Sequence, residues 1–338
     1  MFVPILSGLQ LPWPVNWSAL FEREAPLLLE IGFGGGHFLV DLAQKRPFYN
    51  IIGLEISLPS LRRGARKVSQ RRLTNVAIIQ AGAAYGLQAL FAPNSLSGVY
   101  INFPDPWPKP GHEHRRLINT DFLHLLANRL NPKATLDIAT DHVDYAQAIT
   151  AALEATPYFD SRTGKTAVID SGRLGTKYEQ KGLDEGRPGH YFYFERNQTP
   201  PAHPFPILKE LEMPHVVLNS PLALTEIAEQ FEPDSITVNE TAVSIIALYH
   251  AAQGNQLLVE AYVKEPALSQ RIGAAIRQRK NGQLVVALHE IGFPRPTSGV
   301  HHLIRHITNW LLTLHPETAV VSNTLQAEPE KTGHADSP

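Results

Sequence analysis

A carboxylate, an indole and an ammonium stand close together at Asp105, Trp107 and Lys109, directly after an apolar run at 96–101 and Asn102. Pro104, Pro106 and Pro108 fix φ and withhold amide donors, so the backbone is rigid and the side chains are the purpose of the segment. Taken alone, the stretch reads equally well as a Pro-rich turn before a helix starting near Thr120. A second cluster, Glu30-Ile31-Gly32-Phe33-Gly34-Gly35-Gly36, joins an acid to glycines that permit a tight turn and close approach of backbone to a ligand. His37 stands where a dinucleotide fingerprint needs its third glycine, which argues against a pyrophosphate ligand. Glu55 lies about twenty residues further on, where an acid in such folds accepts hydrogen bonds from ribose hydroxyls.

The elements that position these groups follow from the hydrophobic rhythm. Short apolar runs at 27–31, 51–56, 76–80, 97–103 and 134–139 alternate with amphipathic stretches at 37–46, 58–72, 85–91, 121–130 and 141–155. Strand–helix alternation of this length implies βαβ units and a parallel sheet covered on both faces, with ligands bound at the carboxyl ends of the strands. Residues 199–206 hold four prolines and read as a stiff linker. Beyond it, apolar or alternating runs at 215–218, 243–249, 256–263 and 283–289, with helices expected at 267–279 and 300–314, suggest a small α+β domain with an antiparallel sheet. The expected organisation is a domain at 1–198, the linker, an accessory domain at 207–321 and a disordered tail at 322–338.

A chain of 338 residues with 43% apolar content has room for two cores. The absence of cysteine excludes disulfides, thiol catalysis and cysteine-ligated metals, and is compatible with a reducing compartment. No stretch reads as a leader or a membrane span, so the expectation is a soluble cytoplasmic protein. A net charge of −2 conceals a basic run, Arg62, Arg63, Arg66, Lys67, Arg71 and Arg72, and a second at His112, His114, Arg115 and Arg116.

The pattern Glu-x-Gly-x-Gly-x-Gly resembles that of methyltransferases using S-adenosylmethionine, whose cationic methionine end suits a nearby carboxylate. Together with Glu55, residues 102–109, Arg115-Arg116, Thr140-Asp141 and Thr176-Lys177-Tyr178-Glu179, the chain resembles the tRNA (guanine-N7)-methyltransferase family in its bacterial single-chain form, over residues 20–198. The resemblance implies an α/β fold, a Rossmann-like seven-stranded class I methyltransferase sheet with helices on both faces. It further implies S-adenosylmethionine as cofactor and tRNA as substrate, methylated at N7 of a variable-loop guanine. Glu30 and Glu55 are then cofactor ligands, Asp105 the central acid, and Lys109, Asp141, Thr176, Lys177, Tyr178 and Glu179 tRNA contacts. We add Gly32, Gly34, Gly36 and Asn102 to the cofactor set. Gly82-Ala83-Ala84 stands where the family often has an acid near the adenine, so the backbone amide of Ala83 is the expected replacement.

Guanine N7 carries a lone pair and no proton, so Asp105 need not act as a base. It is expected to hold the guanine's Watson–Crick edge and offset the charge growing on the ring. Trp107 reads either as a stacking plane for an extracted base or as a loop-packing indole. Lys109, Arg115 and Arg116 read as phosphate contacts that the 62–72 run extends, and the Gly-rich residues 172–189 as a loop that orders over cofactor or RNA. Two other functions fit less well. An exocyclic-amine methyltransferase would have adjacent prolines where Asp105 intervenes, and a non-catalytic tRNA-binding protein would have no need of Glu30, Glu55 and Asp105 together. Residues 207–321 lie outside the resemblance, and monomer and homodimer are both compatible with the sequence. His302 and His306 share a helix face, but with no carboxylate partner evident no metal is expected.

Overall fold

The computed structural model describes residues 3–169, 188–202, 205–252 and 255–327. The chain divides into two compact units, Met1–Leu208 and Lys209–Pro338. Strands of the first unit are β1 (Ile5–Ser7), β2 (Leu27–Ile31), β3 (Asn50–Glu55), β4 (Val76–Gln80), β5 (Leu96–Asn102), β6 (Leu130–Thr140), β7 (Phe159–Ser161) and β8 (His190–Arg196). They form one sheet in the order β1-β4-β3-β2-β5-β6-β8-β7. Pairing is parallel except where β8 meets β6 and β7. The expected seven strands are present, and β1 adds an eighth beside β4.

Strand β2 is buried at all five residues rather than alternating, because helices cover both faces of the sheet. Those helices are α2 (His37–Lys45), α3 (Leu58–Gln70), α4 (Ala83–Leu90), α5 (Thr120–Arg129) and α6 (Val143–Glu154), preceded by the short α1 (Trp17–Phe21). On α3, Leu61, Gly64, Ala65 and Val68 recur at helical spacing and are buried, leaving Arg62, Arg63 and Arg66 exposed. The chain order reverses at β2, which pairs with β3 on one side and β5 on the other. A crevice therefore opens beyond the carboxyl ends of these strands.

The Pro-rich stretch expected as a stiff linker makes hydrogen bonds with other residues of the first unit. Arg196 donates to the Thr199 carbonyl at 2.6 Å, Arg129 to that of Phe205 at 2.8 Å, and the Ala202 amide to the Tyr158 hydroxyl at 3.0 Å. Arg129 is fully buried and also donates to the carbonyls of Leu87 and Gln88 and to the side chain of Asn128. Burial pushes its guanidinium down to about 10, still protonated at neutral pH.

The second unit is a seven-stranded antiparallel sheet: β9 (His215–Asn219), β10 (Asp234–Val238), β11 (Thr241–His250), β12 (Gln256–Lys264), β13 (Ser269–Gln278), β14 (Leu284–Leu288) and β15 (Ala319–Asn323), ordered β10-β11-β12-β13-β14-β9-β15. Helices α7 (Leu224–Glu229) and α8 (Ser298–Leu314) pack on this sheet, burying Val259, Ile272, Ile276, Leu303 and Ile307 in one core. The helix expected at 267–279 is instead strand β13. Its apolar residues Ile272, Ala274 and Ile276 also repeat every second position, and β12 and β14 both pair with it. Ladder bonds on both sides decide an ambiguous period in favour of a strand. Strand β15 carries order to Asn323, past the expected start of the tail, and residues 328–338 lie outside the described residues.

Candidate active site

The loop between β2 and α2 is shaped by its glycines and one aromatic. Gly32, Gly34 and Gly36 have φ of 71°, 52° and 72°, a region side chains disfavour. Phe33 turns inward into a notch made by two further glycines, where a Cβ on Gly53 or Gly64 would come within 2.7 or 2.6 Å of its ring. Gly36 sits so close to α3 that a Cβ there would lie 2.9 Å from the Gly64 Cα. From the other side, Glu55 Oε2 accepts from the Gly34 amide at 3.0 Å while Oε1 accepts from Ile56 and Ser57 at 2.8 and 2.9 Å. An ionised carboxylate has about four acceptor sites, so Glu55 organises the loop and retains capacity for a hydroxyl.

Parallel pairing of β2 with β5 brings Glu30 beside Asn102 at the ends of the two strands. Glu30 is 1% exposed, and its Oε1 accepts from Asn102 Nδ2 at 3.2 Å. Asn102 Oδ1 is buried without a partner among the described residues, which makes it a ready acceptor for a ligand's donor. Two adjoining cavities share Gly32, Gly34, Asn102 and Phe103. The smaller, about 160 Å3, holds Glu30, Arg63 and Lys67; the larger, about 540 Å3, holds Glu55, Ala83, Asp105, Trp107 and Arg115. Ala83 opens helix α4, and the space beside its N-cap, Gly82, is empty enough that a Cβ would meet nothing within 4 Å.

Asp105 is exposed at the rim of the larger cavity, on a segment held in an unusual backbone form. Phe103 and Trp107, with φ of 50° and 44°, bracket it in the left-handed region, a strain that persists only where surroundings enforce it. Here the Phe103 amide bonds the Ala139 carbonyl at 2.8 Å, and Arg116 Nε donates to the Pro106 carbonyl at 2.9 Å. Arg116 lies 5.3 Å from the ring of buried Tyr145, whose hydroxyl accepts from the Ile118 amide at 3.0 Å. Burial pushes this phenol up to about 12, with Arg116 opposing the shift.

The expected site residues are placed differently. Glu30, Gly32, Gly34, Glu55, Ala83, Asn102, Asp105 and Arg115 line the cavities, and Gly36 supports the loop from behind. Arg116 is half-buried and braces the proline motif through Pro106 and Tyr145. Lys109 is exposed and Asp141 half-buried, and neither lines a cavity. Thr176, Lys177, Tyr178 and Glu179 lie outside the described residues. Trp107 is half-buried with the Arg115 guanidinium 4.9 Å from its ring, so one partner already uses the indole. Lys67, counted with the basic run, is half-buried and donates to the Gly35 carbonyl at 2.7 Å. His306 pairs with Asp234 at 2.8 Å, and no group of three metal-ligating side chains occurs among the described residues.

Residues 24–191 match a family model described as a putative methyltransferase. A tRNA (guanine-N(7)-)-methyltransferase of Thermus thermophilus is 31% identical over 304 residues, covering 88% of this chain and 93% of that protein. The chain belongs to the tRNA (guanine-N7)-methyltransferase family. Family members from Paraburkholderia xenovorans and Thermotoga maritima are 40% and 37% identical over 179 and 181 residues, or 53% and 52% of this chain and 68% and 55% of theirs. The 304 aligned residues of the Thermus relative exceed the first unit, so the similarity extends into the second.

Proposed function

We propose that this protein transfers a methyl group from S-adenosylmethionine to N7 of a variable-loop guanine in tRNA. The observation that carries the reading is that Asp105 opens onto the same cavity as Glu55 and the glycine loop, in a chain of this family. The residues present fit the cofactor. Buried Glu30 and the unpartnered Asn102 carbonyl oxygen suit an ammonium, Glu55 suits ribose hydroxyls, and the amide of Ala83 suits the base in place of an acid. S-adenosylmethionine, when bound, supplies a methyl group activated on a sulfonium, which an N7 lone pair takes without losing a proton.

The chain's own part is positioning and charge. Asp105 accepts from the N1 and N2 donors of the guanine, turning N7 inward, and its negative charge offsets the positive charge that methylation leaves on the ring. Trp107, with Arg115 against it, lines the entry, and Lys109, Arg115, Asp141 and residues 176–179 meet the tRNA. The first unit is the catalytic domain and the second an accessory one. No described helix is long and apolar enough to cross a membrane, and we place the protein in the cytoplasm with its tRNA.

The test is incubation with labelled S-adenosylmethionine and unmodified tRNA, followed by nucleoside analysis. N7-methylguanosine confined to the variable loop is expected; label on an exocyclic amine, or none, overturns the reading.

A further inference from the structure

The sheet of the second unit has two unlike faces. Val243, Val259, Ile272 and Ile276 are buried in the core shared with α7 and α8, so alternation along each strand turns their neighbours to the opposite face. Register sets those neighbours in rows: Tyr249 with Leu258 and Ala275, Glu260 with Gly273, and Tyr262 with Arg271. The side chains of β11 to β14 that are charged at neutral pH are Glu260, Lys264, Arg271 and Arg277, and all four belong to this face. Its one carboxylate is already committed: Glu260 Oε2 accepts from the Tyr249 hydroxyl at 2.8 Å and Oε1 from Arg271 Nε at 2.7 Å. These bonds fix a ring and a guanidinium, from the strands on either side of β12, at a shallow cavity of about 320 Å3 that Leu258, Gly273 and Ile291 also line. Gly273, opposite Glu260, puts no side chain into that space. Tyr249 is 51% exposed and Tyr262 38%, so aromatic planes stand in water among cations, the combination that suits a polyanion bearing flat rings.

We propose that this face binds RNA, with one unstacked base in the cavity between the Tyr249 ring and the Arg271 guanidinium and with phosphates on Lys264 and Arg277. The inference rests on the reading that tRNA is the substrate, and gives the second unit a part in holding it. Arg271 is paired with Glu260 and serves the base through its plane, whereas Lys264 and Arg277 keep their charge for the backbone. Arg271 and Arg277 stand six residues apart on β13, roughly 20 Å at about 3.4 Å per residue, a reach of several nucleotides rather than one. Stacking on an aromatic ring accepts any base, so the face adds affinity and not a choice of sequence. A second copy of the chain is the poorer occupant, since a two-fold contact would set these cations against themselves.

Full-length protein and the variants Tyr249→Ala, Tyr249→Phe and Arg277→Gln should be compared for binding of unmodified tRNA by filter retention across a salt series, with S-adenosylhomocysteine affinity as the control for an intact first unit. Tyr249→Ala is expected to weaken tRNA about tenfold, within the range of one lost stacking contact, and Tyr249→Phe to stay within about twofold. Arg277→Gln is expected to lower the slope of log affinity against log salt by about 1. Unchanged affinity and slope in Tyr249→Ala and Arg277→Gln overturn the inference and leave the functional reading standing. Equal losses in the two Tyr249 variants overturn it in favour of the hydroxyl shaping the sheet through Glu260. A wild-type dimer that Tyr249→Ala dissociates, with tRNA affinity unchanged, makes the face a contact between copies and overturns it as well. Wild-type protein that binds no tRNA overturns the functional reading, and the inference with it.

Discussion

Asp105 is solvated at the cavity rim until a substrate displaces its water, so its charge gains strength only in the closed complex. Asp105→Asn should lower the single-turnover rate at saturating tRNA about 100- to 1000-fold, as loss of one electrostatic partner does, with S-adenosylhomocysteine affinity unchanged. A near-normal rate would remove this residue from the chemistry. Tyr145 offers a pH test. Its phenol lies above the ordinary value of 10, mainly through burial, at about 12 in the folded protein. The folded state therefore keeps a proton that the unfolded chain releases, so this contribution is complete below pH about 10 and is lost as pH rises through about 12. Tyr145→Phe strands the Ile118 amide and should cost about 1–3 kcal/mol at neutral pH, while flattening the alkaline fall. Urea titrations across that window would show it, and identical slopes in both proteins would exclude the phenol as their origin. The placement of Glu30, Glu55 and Asp105 on the cavities was legible because motif spacing after a strand fixes where a side chain must emerge. The different surroundings of Arg115, on the cavity wall against Trp107, and Arg116, against Pro106 and Tyr145, were not, since adjacent residues of equal charge carry no sign of direction.

Helix α3 carries the sharpest test at the scale of elements. An alanine inside a helix ordinarily outperforms glycine by about 0.5–1 kcal/mol. At Gly64 the added Cβ would come within 2.6 Å of the buried Phe33 ring, so Gly64→Ala should instead destabilise by about 1–3 kcal/mol and weaken S-adenosylhomocysteine binding. Thermal melts that showed stabilisation would refute the packing account. The Pro-rich segment gives another: Arg129→Ala leaves the carbonyls of Leu87, Gln88 and Phe205 without their donor. It should cost at least about 3 kcal/mol and speed proteolytic cleavage within 199–206; an unchanged digestion rate would contradict the anchoring. The sequence suggested a stiff linker there without these bonds, because prolines announce stiffness but not what the segment's polar groups bond. Strand β13 was misread for a related reason, since its pairing partners lie in other strands and leave no local trace.

Across the whole molecule the formal charge is −2, yet α3 contributes arginines with no acidic residue in its span. If tRNA runs along this helix, Arg62→Gln and Arg66→Gln should each reduce the slope of log affinity against log salt by about 1, measured by filter binding; an unaltered slope removes α3 from the footprint. The α/β rhythm of the first unit was readable because covered parallel strands are short continuous apolar runs. The second unit was harder, since antiparallel strands that alternate also satisfy helical spacing over ten residues. Its length match to the Thermus relative marks it as a shared part of some family members. Of the four tryptophans, Trp107 lines the larger cavity, while Trp13 and Trp17 pack on Tyr85 and Phe91 and Trp310 on Phe231. With a guanidinium against its ring, its emission should respond to whatever enters. A chain with the other three tryptophans changed to phenylalanine would then be an optical gauge, reporting nucleoside arrival in real time without any label.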